Sequence, residues 1–330
     1  MKKNPYYDPN KTHHTPEGFT NPEPNEHRSG DLKRWQNERK KNRLPLKPEQ
    51  GYRGLVERWW QQVDLEQSQD GVWWLGHAAM LVKMGSKKVL IDPVLSQRAS
   101  PLNFYGPERK TPPPINVEQL PDIDAVLISH NHYDHLDKQT IDALLKRFPS
   151  LIFMVPLGLK RWFIRCGAIH VHELDWWDQR AVGDVQVHYV PARHWSMRTP
   201  WDRNRSLWGG WVLSHLTDSF YFAGDSGYTP RLKEIGERLG PFSLEALPLG
   251  AYEPRWFMHS QHMDPADSVR LFQELGCQRA FGMHWGVFEL ADEALDAPPR
   301  GLREEIQRQG VDVNRYTAEK IGAFIPFPRG

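Results

Sequence analysis

Cysteine is scarce: Cys166 and Cys277 are the two in 330 residues. A disulfide framework is therefore not expected, and reduced thiols fit a cytosolic compartment. Long apolar runs are missing as well. No stretch approaches the ~18 residues of a spanning helix. No apolar segment follows Met1-Lys2-Lys3 in the manner of a secretory signal, so a cytoplasmic, non-secreted protein is expected. Neither sign of charge dominates, since 42 Lys and Arg face 41 Asp and Glu. That balance excludes a strongly basic footprint, and no nucleic-acid partner is expected. Internal repeats are absent too. What abounds is tryptophan, with 14 copies, a residue suited to cores, membrane interfaces and hydrophobic binding mouths.

The texture changes along the chain. Residues 1–60 carry few aliphatics and many Pro, Asn and Lys, a composition that cannot bury a core of its own. This N-terminal extension either wraps over the main body or stays partly disordered. Within it, DLKRWQNERKKNRLPLK (31–47) is basic and helix-like. It is either a solvated face or a contact for anionic headgroups. Residues 61–330 read as the main domain. VWWLG, AAMLVKM, KKVLIDP, AVLIS and LIFMVP are short apolar strands, and VQVHYVP alternates as a half-buried one. WVLSHL and SFYFAGD form a hairpin, while EALPLGA and RAFGMHWG supply further strands. Asp137 caps a helix whose Ile141, Leu144, Leu145 and Phe148 fall on one face. Asp264-Pro265 opens another that Gly276 closes, and LREEIQRQ marks a last one. Strands outnumber helices, so the expected fold is α/β with two packed mixed β-sheets flanked by helices, not a doubly wound sheet.

Residues 129–137 read SHNHYDHLD, directly after AVLI. His130, His132, Asp134 and His135 are zinc-ligand types at the exit of a buried strand. One tetrahedral ion would find this crowding awkward, whereas two ions about 3.5–4 Å apart would use it well. A solvated loop has no reason to repeat H-x-H-x-D-H. Three downstream residues also end apolar runs: His194 after VHYVPAR, Asp225 after SFYFAG and His284 after RAFGM. Upstream, Asp92 in LIDP is either a turn residue before Pro93 or a hydrogen-bond acceptor for a ligand histidine. His77 in WLGHAA is either near the metals or a polar core contact.

H-x-H-x-D-H followed by His, Asp and His resembles the metallo-β-lactamase superfamily of dinuclear hydrolases, over roughly residues 72–325. SHNHYDHLD, PARHWSMRTPWDRNRSLWGGW, YFAGDSGY, LPLGAYEPRWFM, QHMDP and MHWGVFELADE resemble, more narrowly, the N-acyl-phosphatidylethanolamine-hydrolysing phospholipase D family, as does GFTNPEP near the N-terminus. The resemblance implies a metallo-β-lactamase αββα sandwich. It implies two zinc ions per chain, one on His130, His132 and His194, the other on Asp134, His135 and His284, with Asp225 bridging. A metal-bridging hydroxide would be the nucleophile, oriented by Asp134. His262, with Gln261, would stand beside the phosphate, which makes Asp134 and His262 the candidate catalytic side chains. The implied reaction converts N-acyl-phosphatidylethanolamine to N-acylethanolamine and phosphatidic acid. A homodimer is implied as well.

Substrate contacts are sought at the mouth. Tyr133 lies inside the ligand loop and Trp195 follows a ligand. YEPRWFM offers Tyr252 and Trp256, which either line an acyl channel or pack ordinarily. An exposed aromatic face there would give peripheral membrane contact. The competing reading is a metal-dependent lactonase or a phosphodiesterase for a small soluble ester. A non-catalytic scaffold is disfavoured because every expected ligand is present.

Overall fold

The computed structural model describes residues 3–24, 26–102 and 104–328. A two-strand ribbon, β1 (His14–Thr15) and β2 (Gly18–Phe19), comes first, followed by helices α1 (Asp31–Lys41) and α2 (Gly51–Trp59). The first large sheet takes β3 (Gly71–Gly76), β4 (Ala79–Met84), β5 (Lys87–Ile91), β6 (Ala125–Leu127), β7 (Ile152–Pro156) and β8 (His170–Leu174), with α3 (Lys138–Arg147) and α4 (Lys160–Arg165) between its last strands. The second takes β9 (Gln179–Val182), β10 (Val185–Val190), β11 (Gly210–His215), β12 (Asp218–Phe222), β13 (Leu244–Pro248) and β14 (Arg279–Met283). Helices α5 (Lys233–Leu239), α6 (Arg255–Met258) and α7 (Pro265–Leu275) lie between them in the chain. Then come α8 (Ala297–Gln309), β15 (Tyr316–Thr317) and β16 (Phe324–Pro326).

Each sheet has seven strands, in the orders β16-β3-β4-β5-β6-β7-β8 and β15-β14-β13-β12-β11-β10-β9. Both open with an antiparallel meander and continue in parallel: β3, β4 and β5 alternate before β6, β7 and β8, and β10, β11 and β12 alternate before β13, β14 and β15. This is the two-sheet α/β architecture expected from the sequence.

The near-continuous apolar runs follow from burial on both faces. In β3, Val72 and Trp74 enter the large core, together with Tyr189, Trp211 and Phe222 of the other sheet. Trp73 and Leu75 turn to the opposite face, under Ile141 and Leu144 of α3 and Phe163 of α4. Each fully buried aliphatic or aromatic side chain contributes roughly 1.5–3 kcal/mol of transfer free energy. Over the second sheet, α7 packs on β13 and against α5 and α8.

The caps sit where the residue types ask for them. Asp137 accepts from Gln139 N at the start of α3, and Asp264 accepts from Asp267 N ahead of Pro265 in α7. Gly276 ends α7 in the left-handed conformation. Helix α2 has no counterpart in the sequence reading, since GYRGLVERW holds two glycines and buries Leu55 alone. Among the described residues, no helix is long and apolar enough to cross a membrane. Both cysteines are free thiols.

The first residues lie on this body. Lys11, His13 and His14 all meet Asp175, just after β8, at 2.5, 2.7 and 2.9 Å. The Asn21 side chain donates to the His194 carbonyl at 2.8 Å, and Glu26 pairs with Arg193 and His259.

Candidate metal centre

The polar residues at the carboxyl ends of the central strands turn into one place. His130, His132, Asp134 and His135 follow β6, and Asp92 follows β5. From the second sheet, His194 comes after β10, Asp225 after β12 and His284 after β14. Three residues here take the left-handed backbone that side chains usually avoid: His77 (φ 54°), Asp92 (φ 43°) and His284 (φ 65°). Strain of this kind persists only where surrounding structure over-determines it, at roughly 1–3 kcal/mol per residue. The His77 carbonyl accepts from His284 N at 2.9 Å and so locks two of the three together.

The side chains form two adjoining groups. In one, His132 Nδ1 is 2.9 Å from His130 Nε2 and 3.2 Å from His194 Nε2. Asp225 Oδ2 stands 3.8 and 3.6 Å from those two Nε2 atoms. In the other, His135 Nε2 and His284 Nε2 are 3.3 Å apart, and Asp134 Oδ2 is 3.4 and 3.5 Å from them. Asp225 joins both, 3.1 Å from His135 and 2.9 Å from His284. Every one of the seven candidate ligands is therefore in this cluster.

The arrangement fits cations. Ring nitrogens point at ring nitrogens, so in each such contact one nitrogen at most can donate and the other must present a lone pair. Asp225 Oδ1 meets His284 Nε2 at 2.9 Å, but His132 Nε2 and His284 Nδ1 are enclosed without partners. Buried polar atoms are rarely left so. The charges say the same. Burial drives His130 well below the usual imidazole range and His132 to about 4, and it dominates at His194, which falls to about 3. Burial also opposes charge on His135 and His284, yet Asp225 and Asp134 overcome it, lifting His284 to about 9. Two enclosed carboxylates thus demand positive charge, and His/Asp donors in two groups suit divalent metals such as zinc.

Outer partners hold the rings. His135 Nδ1 lies 2.7 Å from Asp92 Oδ2, and Ser129 N donates to the other Asp92 oxygen at 2.7 Å. His130 Nδ1 is 2.9 Å from Ser129 Oγ, and His194 Nδ1 is 3.0 Å from the Gln261 carbonyl. Such contacts fix which nitrogen faces inward. His77 Nε2 sits 2.8 Å from Asp134 Oδ2, which places it beside the centre. His262 is close to both groups, its ring 5.2 Å from that of His194 and 5.4 Å from that of His284, and its Nδ1 is buried without a partner.

A cavity of about 670 Å³ opens onto the cluster. Its lining joins His132, Asp134, His194, Asp225 and His262 to Tyr133, Gln261, Trp195, Phe257, Met258, Leu290 and Trp35. Tyr252 and Trp256 lie outside this lining. The turn of α6 explains the exchange: at about 100° per residue, Phe257 and Met258 face inward while Trp256 faces the Arg34 guanidinium 4.0 Å away. Leu32 and Trp35 of α1 are wall residues that the sequence reading did not assign. Trp35 stacks on Phe257 at 5.0 Å and donates to Asp292, contacts across more than 200 residues that no local pattern announces.

Residues 87–285 match a family described as a β-lactamase superfamily domain. An N-acyl-phosphatidylethanolamine-hydrolyzing phospholipase D 1 of Caenorhabditis elegans is 39% identical over 243 residues, 71% of this chain and 68% of that protein. The chain belongs to the N-acyl-phosphatidylethanolamine-hydrolysing phospholipase D family of the β-lactamase superfamily. Another relative in this family, the mitochondrial enzyme of that name from Saccharomyces cerevisiae, is 33% identical over 69% of the chain, a match spanning half of the yeast protein. A solved structure described as a possible metal-dependent hydrolase of Veillonella parvula shares the fold, with a TM-score of 0.65 at 17% identity, covering 78% of this chain and 99% of that one. Membership of this phospholipase D family makes the chain a metal-dependent hydrolase, the same class of chemistry that the two His/Asp groups are built for.

Proposed function

We propose that the chain hydrolyses N-acyl-phosphatidylethanolamine at the phosphate–ethanolamine bond, releasing N-acylethanolamine and phosphatidic acid. The cavity carries this reading: it sets an apolar wall of Trp35, Phe257, Met258 and Leu290 directly against a polar cluster suited to metals. A lipid with a phosphodiester between apolar chains needs both surfaces at once. The names of the worm and yeast relatives support the same substrate.

Two zinc ions, when bound, supply a reactive water at neutral pH and positive charge against the phosphate oxygens. His130, His132 and His194 would hold one, and Asp134, His135 and His284 the other, with Asp225 between them. Asp92, Ser129 and the Gln261 carbonyl hold His135, His130 and His194 in the tautomer whose Nε2 faces inward. Asp134, braced by His77, keeps an oxygen at the cavity wall for orienting the attacking water. His262 presents a buried ring with one nitrogen unspent, which suits it to bond a phosphate oxygen or the leaving alkoxide.

Access from a bilayer fits the surroundings of the mouth. Leu32 lines the cavity yet is 54% exposed. Apolar side chains in such positions favour a peripheral contact with lipid.

The test is product analysis. Zinc-loaded protein is given N-acyl-phosphatidylethanolamine, a lactone and a chromogenic phosphodiester, each with and without chelator. The expected products from the lipid are N-acylethanolamine and phosphatidic acid, with activity lost on chelation. Release of free fatty acid or diacylglycerol, or turnover of the lactone alone, would overturn the reading.

A further inference from the structure

A second cavity, of about 640 Å³, shares Tyr133 in its lining with the first. It contains none of the candidate metal ligands. Its character is cationic: Lys138, Arg161, Arg165, Arg198 and Arg205 line it. The acids in its wall are already engaged. Asp137 accepts from Ser96 N, Gln139 N and Thr140 Oγ1. Asp142 pairs with Lys138 at 2.6 Å, and Asp202 accepts from Arg198 N and Thr199 N. Arg198 is fixed as part of the wall, donating to the Asn131 and Leu136 carbonyls and lying 4.0 Å over the Tyr133 ring.

Arg161 and Arg165 are different. They stand one turn apart on α4, both exposed, and neither belongs to an ion pair among the described residues. Like charges at this spacing weaken a helix, and α4 is only six residues long. Between the two arginines lies Trp162, an apolar surface in the same cavity. Two guanidiniums offer planar forks that match a phosphate group, which as a monoester carries −1.5 to −2 charge at pH 7.

We propose that this cavity is a second ligand site, for a phosphomonoester held by Arg161 and Arg165 with its organic stem against Trp162 and Tyr133. The proposal stands apart from the reaction assigned to the metal centre. The ligand chemistry has two sources, a lipid such as phosphatidic acid or a soluble phosphate ester.

Calorimetric titration of the zinc-loaded protein with glycerol 3-phosphate and with dihexanoyl phosphatidic acid tests it. The parent protein is compared with an Arg161→Glu/Arg165→Glu variant and with an Arg53→Glu/Arg58→Glu control on α2, all checked for equal melting temperature. The expected result is one equivalent fewer per chain in the α4 variant and no change in the control. Loss for both ligands assigns recognition to the phosphate alone, whereas a site seen with phosphatidic acid only assigns it to lipid. Equal stoichiometry in the parent and the α4 variant, or equal loss in the control, overturns the proposal. Product analysis on N-acyl-phosphatidylethanolamine is a separate readout, so either idea can fail without the other.

Discussion

Asp225 and Asp175 are both buried carboxylates surrounded by histidines, and the two surroundings are built on opposite terms. Around Asp175 each contact is a conventional pair: His13 Nε2 meets Oδ1 at 2.7 Å, His14 Nε2 meets Oδ2 at 2.9 Å, and Lys11 adds an ammonium. Trp176 N donates to Oδ1 at 2.8 Å, and His14 Nδ1 lies 2.9 Å from the Tyr6 carbonyl. Around Asp225, nitrogens converge on nitrogens and buried atoms are left without partners. Residue type is the same in both places. Closed hydrogen-bond geometry makes the first a strut that ties residues 3–20 to the body, and open, convergent geometry suits the second to metal ligation. Glu245 in β13 is a third case, fully buried with neither oxygen hydrogen-bonded.

The comparison can be broken at each carboxylate. The largest effect is expected at the centre: His132→Ala should lose zinc, measured by metal analysis, and hydrolysis should fall below detection. Retained turnover would remove the ligand assignment. Asp92→Asn should keep the fold but weaken metal affinity about 10–100-fold, as loss of an outer partner does, read by competition with a graded chelator.

Asp175→Asn should leave zinc content and turnover intact. It should lower stability by about 2–4 kcal/mol, since it breaks a buried charge network, with amide exchange accelerated first in residues 3–20. The pH dependence follows the same contact. Burial alone would raise the Asp175 pKa, but His13 and Lys11 hold it well below the ordinary carboxylate range. Its stabilising contribution is therefore present above about pH 4 and is lost as pH falls further. Exchange in this segment should rise on acidification in the parent and not in the variant.

The smallest effect has the opposite sign. Burial pushes Glu245 well above the usual range, so the folded state favours its neutral form. The Cys277 thiol nearby spends its proton on the Arg279 carbonyl at 3.0 Å. A group of this kind costs little below about pH 4 and subtracts stability as pH rises above it. Glu245→Met should raise the melting temperature by about 2–6 °C at pH 8, given about 1–3 kcal/mol for an unsatisfied buried group, and by less at pH 5.

Much of the centre was legible in the sequence because its parts are local. SHNHYDHLD is a single exit loop, and His194, Asp225 and His284 each stand within four residues of a strand end. The two-sheet fold was legible because short apolar runs outnumber helical patterns. The cavity wall was harder. Which residues of YEPRWFM face inward depends on the phase of a four-residue helix, and the pattern there is apolar throughout. Ser129 escaped because a serine after a strand is common, and only the folded loop brings its hydroxyl to His130. Trp35 escaped because its partners Phe257 and Asp292 lie in another part of the chain. The basic run around it reads as a solvated face, and α1 indeed buries no residue fully.

The candidate ligands come from loops of both sheets: His130 and Asp134 from one, His194 and His284 from the other. Metal held there would act as a clasp as well as a catalyst. It would join loops far apart in the chain at one rim of the sandwich. Stripping it should therefore be felt mechanically, as looser coupling between two halves that otherwise meet through their apolar interior and a few hydrogen bonds.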